Sequence, residues 1–390
     1  MAVTDPVATR PGPLRIGPLT VDRPVVLAPM AGVTTPAFRT LCRGYGAGLY
    51  VSEMITARAL VEGNERTRRM LAPAPDEPVR SVQLYGVDPA VMGLAVRLLV
   101  DDWGVDHIDL NFGCPAPKVT RKGGGAALPA HHELFRRVVA AAVSRAGQVP
   151  VTVKLRMGID ERHLTARQAA LAAEAEGAAA VTLHARTAEQ LYSGGADWSA
   201  VAELVDAVRT IPVLGNGDIW TAADALRLVA ETGCAGVVIG RGCLGRPWLF
   251  ADLAAAFSPT DGSSVGTAAP ASAPPLGAVA DAMRNHAALL AADLGEERAT
   301  RDFRRHVGWY LTGYAVGGDV RRRLGLVESL EELDRLLDEL DPAVTLPPDA
   351  VGLPRGHSAG PRRVALPDGW LDRCDDPTPP AGADAFTSGG

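Results

Sequence analysis

Short apolar segments rich in β-branched residues alternate with helix-length segments along about the first 250 residues, and this alternation constrains the possible folds more than any other feature. Apolar residues recur at helical spacing between the strand segments, as in residues 166–176 and 222–231. Parallel strands need long crossover connections, so alternating strands and helices predict a parallel sheet. The eight predicted strands are residues 25–30, 49–52, 80–85, 107–111, 151–156, 180–184, 212–216 and 236–240.

Eight such units within about 230 residues are typical of one α/β architecture, the closed (β/α)8 TIM barrel. A doubly wound open sheet would also satisfy the alternation, but no GxGxxG motif follows the first strand. We therefore expect a TIM-barrel catalytic domain over residues 14–257.

The composition changes after residue 257. Residues 258–275 are rich in Ser, Ala, Gly and Pro, which predicts a flexible linker. Residues 276–341 show helical periodicity without strand signals, so we expect a small all-α helical domain after the barrel. Many prolines and glycines with little periodicity follow in residues 342–390, and this composition predicts a disordered tail.

The cysteines and the apolar segments limit the classes of protein that the chain can represent. Five scattered cysteines form neither a CxxC pair nor a Cys/His metal spacing, so neither a disulfide framework nor a metal site is predicted. No apolar stretch approaches the roughly 20 residues that span a bilayer, and the N-terminus lacks the pattern of a signal peptide. We expect a cytoplasmic monomer without a metal or a membrane partner.

Cys114 has the most distinctive setting among the polar residues at the predicted strand ends, where the active site of a barrel forms. It stands in a Gly-Cys-Pro turn after the fourth strand, and Lys118, Arg121 and Lys122 follow closely. Nearby cations tune the pKa of a thiol, which suits a reactive or proton-donating cysteine. No adjacent histidine offers a general base, so a general acid is favoured over a nucleophile. A structural thiol is the alternative.

Glycine-rich loops follow the seventh and eighth strands, with the sequences GNGDI and IGRGCLGRP. Together with Arg241 they are typical of a barrel phosphate site that would suit FMN, although each loop alone also fits a tight turn. Gln83 can donate to and accept from the pyrimidine edge of a flavin, and Lys154 would place a cation beside the ring. An ion pair for Lys154 and a core position for His184 are the structural alternatives.

Several segments resemble the bacterial tRNA-dihydrouridine synthases in order and spacing over about residues 14–340: LAPMAGVTTPAFR, VSEMITARAL, VQLYG, IDLNFGCPAPKVTRKGGGAAL, VKLRMG, LHART, GNGDI, IGRGCLGRPWLF and RRHVGWYL. The resemblance implies an FMN-binding TIM barrel with a helical tRNA-binding domain. It further implies that NADPH, or NADH, reduces FMN and that flavin N5 delivers hydride to C6 of a tRNA uracil. Cys114 would then protonate C5 from the opposite face.

The resemblance also implies which residues form the site. Asn111 and Arg186 match positions that hold the target uridine. The positions that match FMN contacts are Pro29, Met30, Ala31, Gln83, Lys154, His184, Asn216, Gly217, Asp218, Gly240 and Arg241.

The net charge of −6 argues against a nucleic-acid partner, but the predicted helical segment carries a local excess of cations. Residues 284–323 contain eight arginines and five acids. Arg301, Arg304 and Arg305 share one helix face at i, i+3, i+4 spacing, so we expect them to contact tRNA phosphates. A solvated charged face is the alternative, and nearby Trp309 either stacks on a base or packs in a core.

Two other functions remain open from the residues. One is a flavin barrel that reduces a free pyrimidine, as dihydroorotate dehydrogenases do, although such an enzyme has no use for an arginine-rich helical domain. The other is a non-catalytic RNA-binding protein built on a degenerate barrel. Intact Cys114, Lys154 and both glycine-rich loops argue against that reading.

Overall fold

Eight parallel strands form a closed barrel in this computed structural model, which describes residues 11–74, 76–258, 273–356 and 360–383. Strand order around the barrel follows chain order, and the last barrel strand pairs with the first. Each barrel strand lies at a predicted position, and the TIM barrel is confirmed. The strands are β1 Leu14–Ile16, β2 Leu19–Val21, β3 Val25–Leu27, β4 Leu49–Thr56, β5 Ser81–Tyr85, β6 His107–Phe112, β7 Val151–Arg156, β8 Ala180–His184, β9 Val213–Asn216 and β10 Gly236–Ile239.

Helices connect the barrel strands and continue beyond them. Helix formation follows local signals, as in residues 222–232, where Thr221 and Asp224 form a capping box at the start and Gly233 ends the helix in the left-handed conformation. The helices are α1 Pro36–Gly44, α2 Ala57–Val61, α3 Glu65–Leu71, α4 Pro89–Asp101, α5 Pro117–Thr120, α6 His132–Ala146, α7 Ala166–Ala175, α8 Ser199–Ala207, α9 Ala222–Thr232, α10 Leu249–Phe257, α11 Leu276–Leu294, α12 Glu296–Tyr310, α13 Gly318–Leu324 and α14 Leu330–Asp338.

The strand register brings polar residues to one level at the carboxyl end of the barrel. Asn111 on β6 lies beside Lys154 on β7. His184 on β8 lies between Arg156 on β7 and Asn216 on β9. Side chains two residues apart on a strand share a face, so this register determines which side chains meet inside the barrel.

A short antiparallel hairpin, β1–β2, precedes the barrel and was not predicted. Its residues Leu14, Ile16 and Val21 are buried in one cluster with Leu214 and Val238 from the barrel strands. Strands of three residues are too short to show a period-two pattern, so the sequence offers little signal for them. The hairpin adds apolar packing to the barrel interior.

Helices α11–α14 lie within the predicted helical segment and form a second hydrophobic core. Ala37 of α1 belongs to that core, and the neighbouring Phe38 ring lies 5.5 Å from the ring of His286 in α11. His286 and His306 are buried side by side, with ring centroids 4.5 Å apart. Burial lowers the pKa of His286 to about 3 and the pKa of His306 well below its ordinary value. Both histidines are therefore neutral where α1 meets the helical region.

We expect the buried pair to make the protein sensitive to mild acid. The unfolded chain binds protons at an ordinary His pKa of about 6.5, whereas buried His286 does not, so stability is lost as pH falls below that value. The loss from His286 reaches about 2 kcal/mol at pH near 5. Thermal unfolding measured from pH 7 to 5 should show a shallower slope for His286→Phe than for wild type. His163→Phe, at a partly exposed position, is the control, and an unchanged slope in His286→Phe would contradict the expectation.

The chain after residue 341 departs from the predicted disorder. Within the described part of this segment, Trp370 is buried against the barrel. Arg355 is also buried and donates to the carbonyl oxygens of Trp309 and Thr312 at 3.2 and 3.3 Å. A few long, buried side chains hold this segment against the rest of the protein, although it has little regular structure. Composition alone does not indicate such long-range contacts. The predicted linker lies outside the described residues over positions 259–272.

Candidate active site

A cavity of about 620 Å³ opens at the carboxyl ends of the barrel strands, where the active site was predicted. Its volume lies in the range of small-molecule and cofactor sites. Seven of the eight barrel strands contribute to its wall, the eighth, β3, contributes through the loop that follows it, and α12 contributes from the helical region. The predicted site residues that line the cavity are Pro29, Met30, Ala31, Gln83, Asn111, Cys114, Lys154, His184, Arg186, Asn216, Gly217, Asp218, Gly240, Arg241 and Arg305.

Lys154 projects from β7 into the cavity, and its Nζ donates to Asn216 Oδ1 at 3.1 Å. Burial lowers the pKa of Lys154 to about 8, against the attraction of Asp109, which raises it. The ammonium is therefore still protonated at neutral pH. Lys154 forms no close ion pair among the described residues, so its charge faces the cavity.

A chain of hydrogen bonds runs inside the barrel below the cavity. Asp109 accepts from Thr152 Oγ1 at 2.6 Å and from Gln83 Nε2 at 2.7 Å. Gln83 Oε1 in turn accepts from Asn111 Nδ2 at 2.9 Å. These bonds fix the orientation of the Gln83 and Asn111 side-chain amides. The Nε2 and Oε1 atoms of Gln83 can each form one further hydrogen bond. Burial raises the pKa of Asp109 to about 6, while Thr152, Gln83 and Lys154 act in the opposite direction.

Cys114 lies at the wall of the cavity, half-buried, on the loop after β6. Asn111 Oδ1 holds this loop by accepting from the backbone N–H groups of Gly113 and Cys114 at 3.1 and 2.9 Å. Burial raises the pKa of the Cys114 thiol above its ordinary value, and the cations Arg156 and Lys118 lower it by less. The nearby cations therefore do not lower the pKa of Cys114 enough to produce a thiolate at neutral pH. A thiol that keeps its proton at neutral pH suits a general acid better than a nucleophile.

The loops after β8, β9 and β10 are joined through Asp218. Its carboxylate accepts from Arg186 Nη2 at 2.7 Å, lies 3.6 Å from Arg241 Nη2, and accepts from the backbone N–H of Ala196 at 2.7 Å. Asp218 adopts a φ of 52°, which is uncommon for a residue other than glycine. Strained backbone of this kind concentrates at functional sites, where the surrounding contacts maintain it.

Two buried nitrogen atoms at the cavity have no hydrogen-bond partner within the described part of the chain: His184 Nε2 and Arg186 Nη1. Burial lowers the pKa of His184 well below its ordinary value, and the neighbouring cations Arg156, Lys154 and Arg186 add to this effect. His184 is therefore neutral. Buried polar groups are nearly always paired in folded proteins, so both atoms indicate positions for a bound molecule.

The polar and aromatic residues of the site that were not predicted include Asp109, Tyr192 and Trp220. The guanidinium carbon of Arg241 lies 4.5 Å from the Tyr192 ring centre and 5.4 Å from that of Trp220. Asp109 could have been recognised from the sequence, because polar residues alternate along β6 at positions 107, 109 and 111 and therefore share one face of the strand. Trp220 directly follows the GNGDI loop, whereas Tyr192 lies in an irregular loop without any pattern.

The three predicted RNA-binding arginines on α12 have different environments. Arg305 lines the cavity, and Trp309, one turn further along α12, lines it as well. Arg304 donates to the carbonyl oxygen of Val327 at 2.9 Å, and Arg301 pairs with exposed Glu297 at 2.7 Å. Arg305 and Trp309 therefore line the cavity, whereas Arg301 and Arg304 do not.

Neither a metal-binding cluster nor a membrane-spanning helix is present in the described ranges. No group of three or more His, Cys, Asp or Glu side chains there is arranged to hold a metal ion. None of the helices in those ranges is long and apolar enough to cross a membrane.

Comparison with known proteins gives a consistent result. A family model described as dihydrouridine synthase matches residues 26–345. The chain is 56% identical over 394 residues to a probable tRNA-dihydrouridine synthase of Mycobacterium tuberculosis strain CDC 1551 / Oshkosh, covering 98% of this chain and 99% of the relative. It is 40% identical over 299 residues to tRNA-dihydrouridine synthase B of Pseudomonas aeruginosa, covering 76% and 86%.

A solved structure with a similar fold is histamine dehydrogenase from Rhizobium sp. 4-9, with a TM-score of 0.50 and 12% identity. The match covers 84% of this chain and 63% of that chain, and it supports the barrel fold alone. The family model and the relatives, in contrast, match across the barrel and the helical region. The chain belongs to the dihydrouridine synthase family.

Proposed function

We propose that this chain is a tRNA-dihydrouridine synthase that holds FMN in the barrel cavity and uses NADPH to reduce uridines in tRNA. The observation that carries the proposal is the presence, in one cavity, of a protonated thiol at Cys114 and a half-buried cation at Lys154. The relatives from M. tuberculosis and P. aeruginosa, whose names state this activity, support it.

The residues of the cavity fit an anionic, planar cofactor such as FMN. His184 Nε2 is a buried atom that lacks a partner among the described residues, and a ligand would supply one. Arg241 is held between the aromatic rings and Asp218, at the loop whose glycines expose backbone N–H groups. Lys154 and Gln83 would contact the ring system, and Pro29, Met30 and Ala31 lie at the cavity wall beside them.

The reduction adds one hydride and one proton across the C5–C6 double bond of the uracil. The hydride for C6 would come from bound FMN after its reduction by NADPH. Cys114 donates its thiol proton to C5, and the resulting thiolate regains a proton from solvent. Asn111 fixes the backbone of the Cys114 loop. Arg186 Nη1, which has no hydrogen-bond partner among the described residues, would donate to a carbonyl of the target base.

The helical region contributes the rim at which tRNA would approach. The target base must leave its stack to reach the cavity. Arg305 and Trp309 line the cavity from α12, and Arg305 Nη1 packs close to Gly32 in the loop after β3. The arginine thus lies where the helical region meets the barrel. It would contact the phosphates beside the extruded base, and Trp309 offers a ring surface on which a base can stack.

Replacing Arg305 with alanine should weaken the use of tRNA without changing the reduction of FMN by NADPH. We expect KM for tRNA to rise about tenfold and the salt dependence of binding to become shallower, because one phosphate contact is lost. Arg301→Ala is the matched control, since Arg301 lies on the same helix but pairs with Glu297 away from the cavity. Equal effects of the two substitutions would show that general charge, and not the cavity position, matters.

The function is tested by incubating unmodified tRNA with the purified protein, FMN and NADPH, and analysing the nucleosides by mass spectrometry. Formation of dihydrouridine supports the proposal. Bound flavin that NADPH reduces, without any dihydrouridine, would refute it and favour a free pyrimidine as substrate. A protein that binds tRNA but no flavin would instead be a non-catalytic RNA-binding protein.

A further inference from the structure

We infer that Trp370 is a positioning residue for Cys114, because it packs against the outer side of the loop that carries the thiol. The role of the thiol rests on the proposed function, but the position of the loop is testable without it. Trp370 lies in the segment after residue 345, beyond the part of the chain that matches the family model. The proposal therefore gives an active-site role to a segment that lies outside the family model.

Trp370 is fixed against the loop by contacts from both its ring and its backbone. It is 4% exposed, and its ring stacks on His131 with centroids 3.5 Å apart and planes 21° from parallel. The indole Nε1 donates to the carbonyl oxygen of Ala127 at 2.9 Å, and Trp370 O lies 2.7 Å from His131 Nε2. Two residues of the loop are thus tied to one tryptophan.

The three consecutive glycines at positions 123–125 lie between Trp370 and Cys114. Gly123 has a φ of 77°, and a Cβ there would come within 2.6 Å of the Trp370 ring. Gly125 has a φ of 55°, and a Cβ there would come within 2.5 Å of Cys114 O. Only glycine allows both approaches without strain. Next to them, the N–H of Ala126 donates to Cys114 O at 3.0 Å.

The barrel holds the other side of the Cys114 loop. Asn111 accepts from the N–H of Cys114, and Arg156 Nε donates to Gly113 O at 3.0 Å. The outer side of the loop consists of the four-residue helix α5 and a 3₁₀ helix over Gly125–Ala130. The Cys114 loop therefore lies between the barrel on one side and Trp370 of the C-terminal segment on the other.

The same segment reaches two further parts of the cavity. Gly356 lines the cavity wall beside Arg241, and the N–H of Arg362 donates to Glu189 O in the loop after β8 at 2.8 Å. A segment that served stability alone would not need to contact several active-site loops. These contacts support a role in shaping the site.

The test compares Trp370→Ala, Trp370→Phe and Trp103→Ala with wild type, each as the full chain loaded with FMN. Trp103 is a matched control, because it is partly buried on the loop before β6, at the amino end of the barrel strands. Three rates are measured: alkylation of Cys114 by iodoacetamide, followed by peptide mass spectrometry; reduction of FMN by NADPH; and formation of dihydrouridine in tRNA.

We expect Trp370→Ala to raise the alkylation rate of Cys114 about tenfold and to lower dihydrouridine formation about 10- to 100-fold, since small misplacement of a reacting group is costly. FMN reduction should stay within about twofold, because the cofactor contacts lie elsewhere. Trp370→Phe should give alkylation and dihydrouridine rates between those of wild type and Trp370→Ala, because it keeps the stacking on His131 but loses the Nε1 hydrogen bond to Ala127. Trp103→Ala should behave as wild type.

Unchanged alkylation and dihydrouridine formation in Trp370→Ala would overturn the inference, and so would an equal loss in all three rates, which indicates general destabilisation. If Trp370→Ala does not fold, Trp370→Phe decides, and wild-type alkylation of Cys114 in that variant would overturn it. If wild type forms no dihydrouridine while alkylation responds to Trp370, the proposed function fails and the positioning of the loop stands.

Discussion

Replacing Cys114 with alanine is expected to lower the rate of dihydrouridine formation by about 10²- to 10⁴-fold, the usual contribution of a positioned general acid. The thiol lies at the cavity wall, and burial raises its pKa so that it keeps the proton that C5 of the uracil needs. Reduction of FMN by NADPH does not require this proton and should proceed at the wild-type rate. The measurement is single-turnover kinetics of both half-reactions with the same enzyme preparation.

The matched control is Cys374→Ala, since Cys374 is also half-buried but does not line the cavity. The pH dependence adds an independent check. An acid with a raised pKa keeps its proton up to a higher pH, so in enzyme that is saturated with FMN and reduced beforehand, the Cys114-dependent rate of uridine reduction should fall only beyond the ordinary thiol range. Dihydrouridine formed at the wild-type rate by Cys114→Ala would contradict the acid role and leave the cysteine with a packing function.

The barrel and most of its site residues were predictable because their signals are local. Each strand combines an apolar body with a polar or glycine-rich end, and the closed topology then brings those ends together. The position of Cys114 after β6 and of Lys154 within β7 therefore followed from the strand assignment alone. The protonation state of Cys114 did not, because burial outweighs the cations that neighbour it in sequence.

The remaining features depend on contacts between residues that are distant in sequence. Trp370 stacks on His131, and Tyr192 packs beside Arg241, but nothing in the local pattern around either aromatic residue indicates its partner. The arginines of α12 show the same limit. Their helical spacing was visible, whereas the packing of α12 on the barrel determined that Arg305 reaches the cavity and Arg301 does not.

Replacing Lys154 with methionine is expected to weaken FMN binding and to slow FMN reduction by at least about 100-fold, a loss typical of removing a preorganised charge from an active site. The side chain volume is nearly kept, so the change removes mainly the ammonium and its bond to Asn216 Oδ1. Asp109 loses an attractive cation, so its pKa, already raised to about 6, rises further and the carboxyl takes up a proton. That protonation limits the damage to folding and separates the loss of function from a loss of stability.

The effect of Lys154 has a defined pH dependence. Burial lowers its pKa to about 8, so the ammonium is present below that pH and is lost as pH rises through it. FMN affinity, measured by the quenching of flavin fluorescence, should therefore decrease above about pH 8 in wild type, and Lys154→Met should lack this step. Lys118→Met is the matched control, because Lys118 lines the same cavity but is exposed to solvent. If Lys118→Met weakened FMN binding as much as Lys154→Met, the position of Lys154 inside the barrel would have no special role, and another residue would have to supply the cation beside the ring.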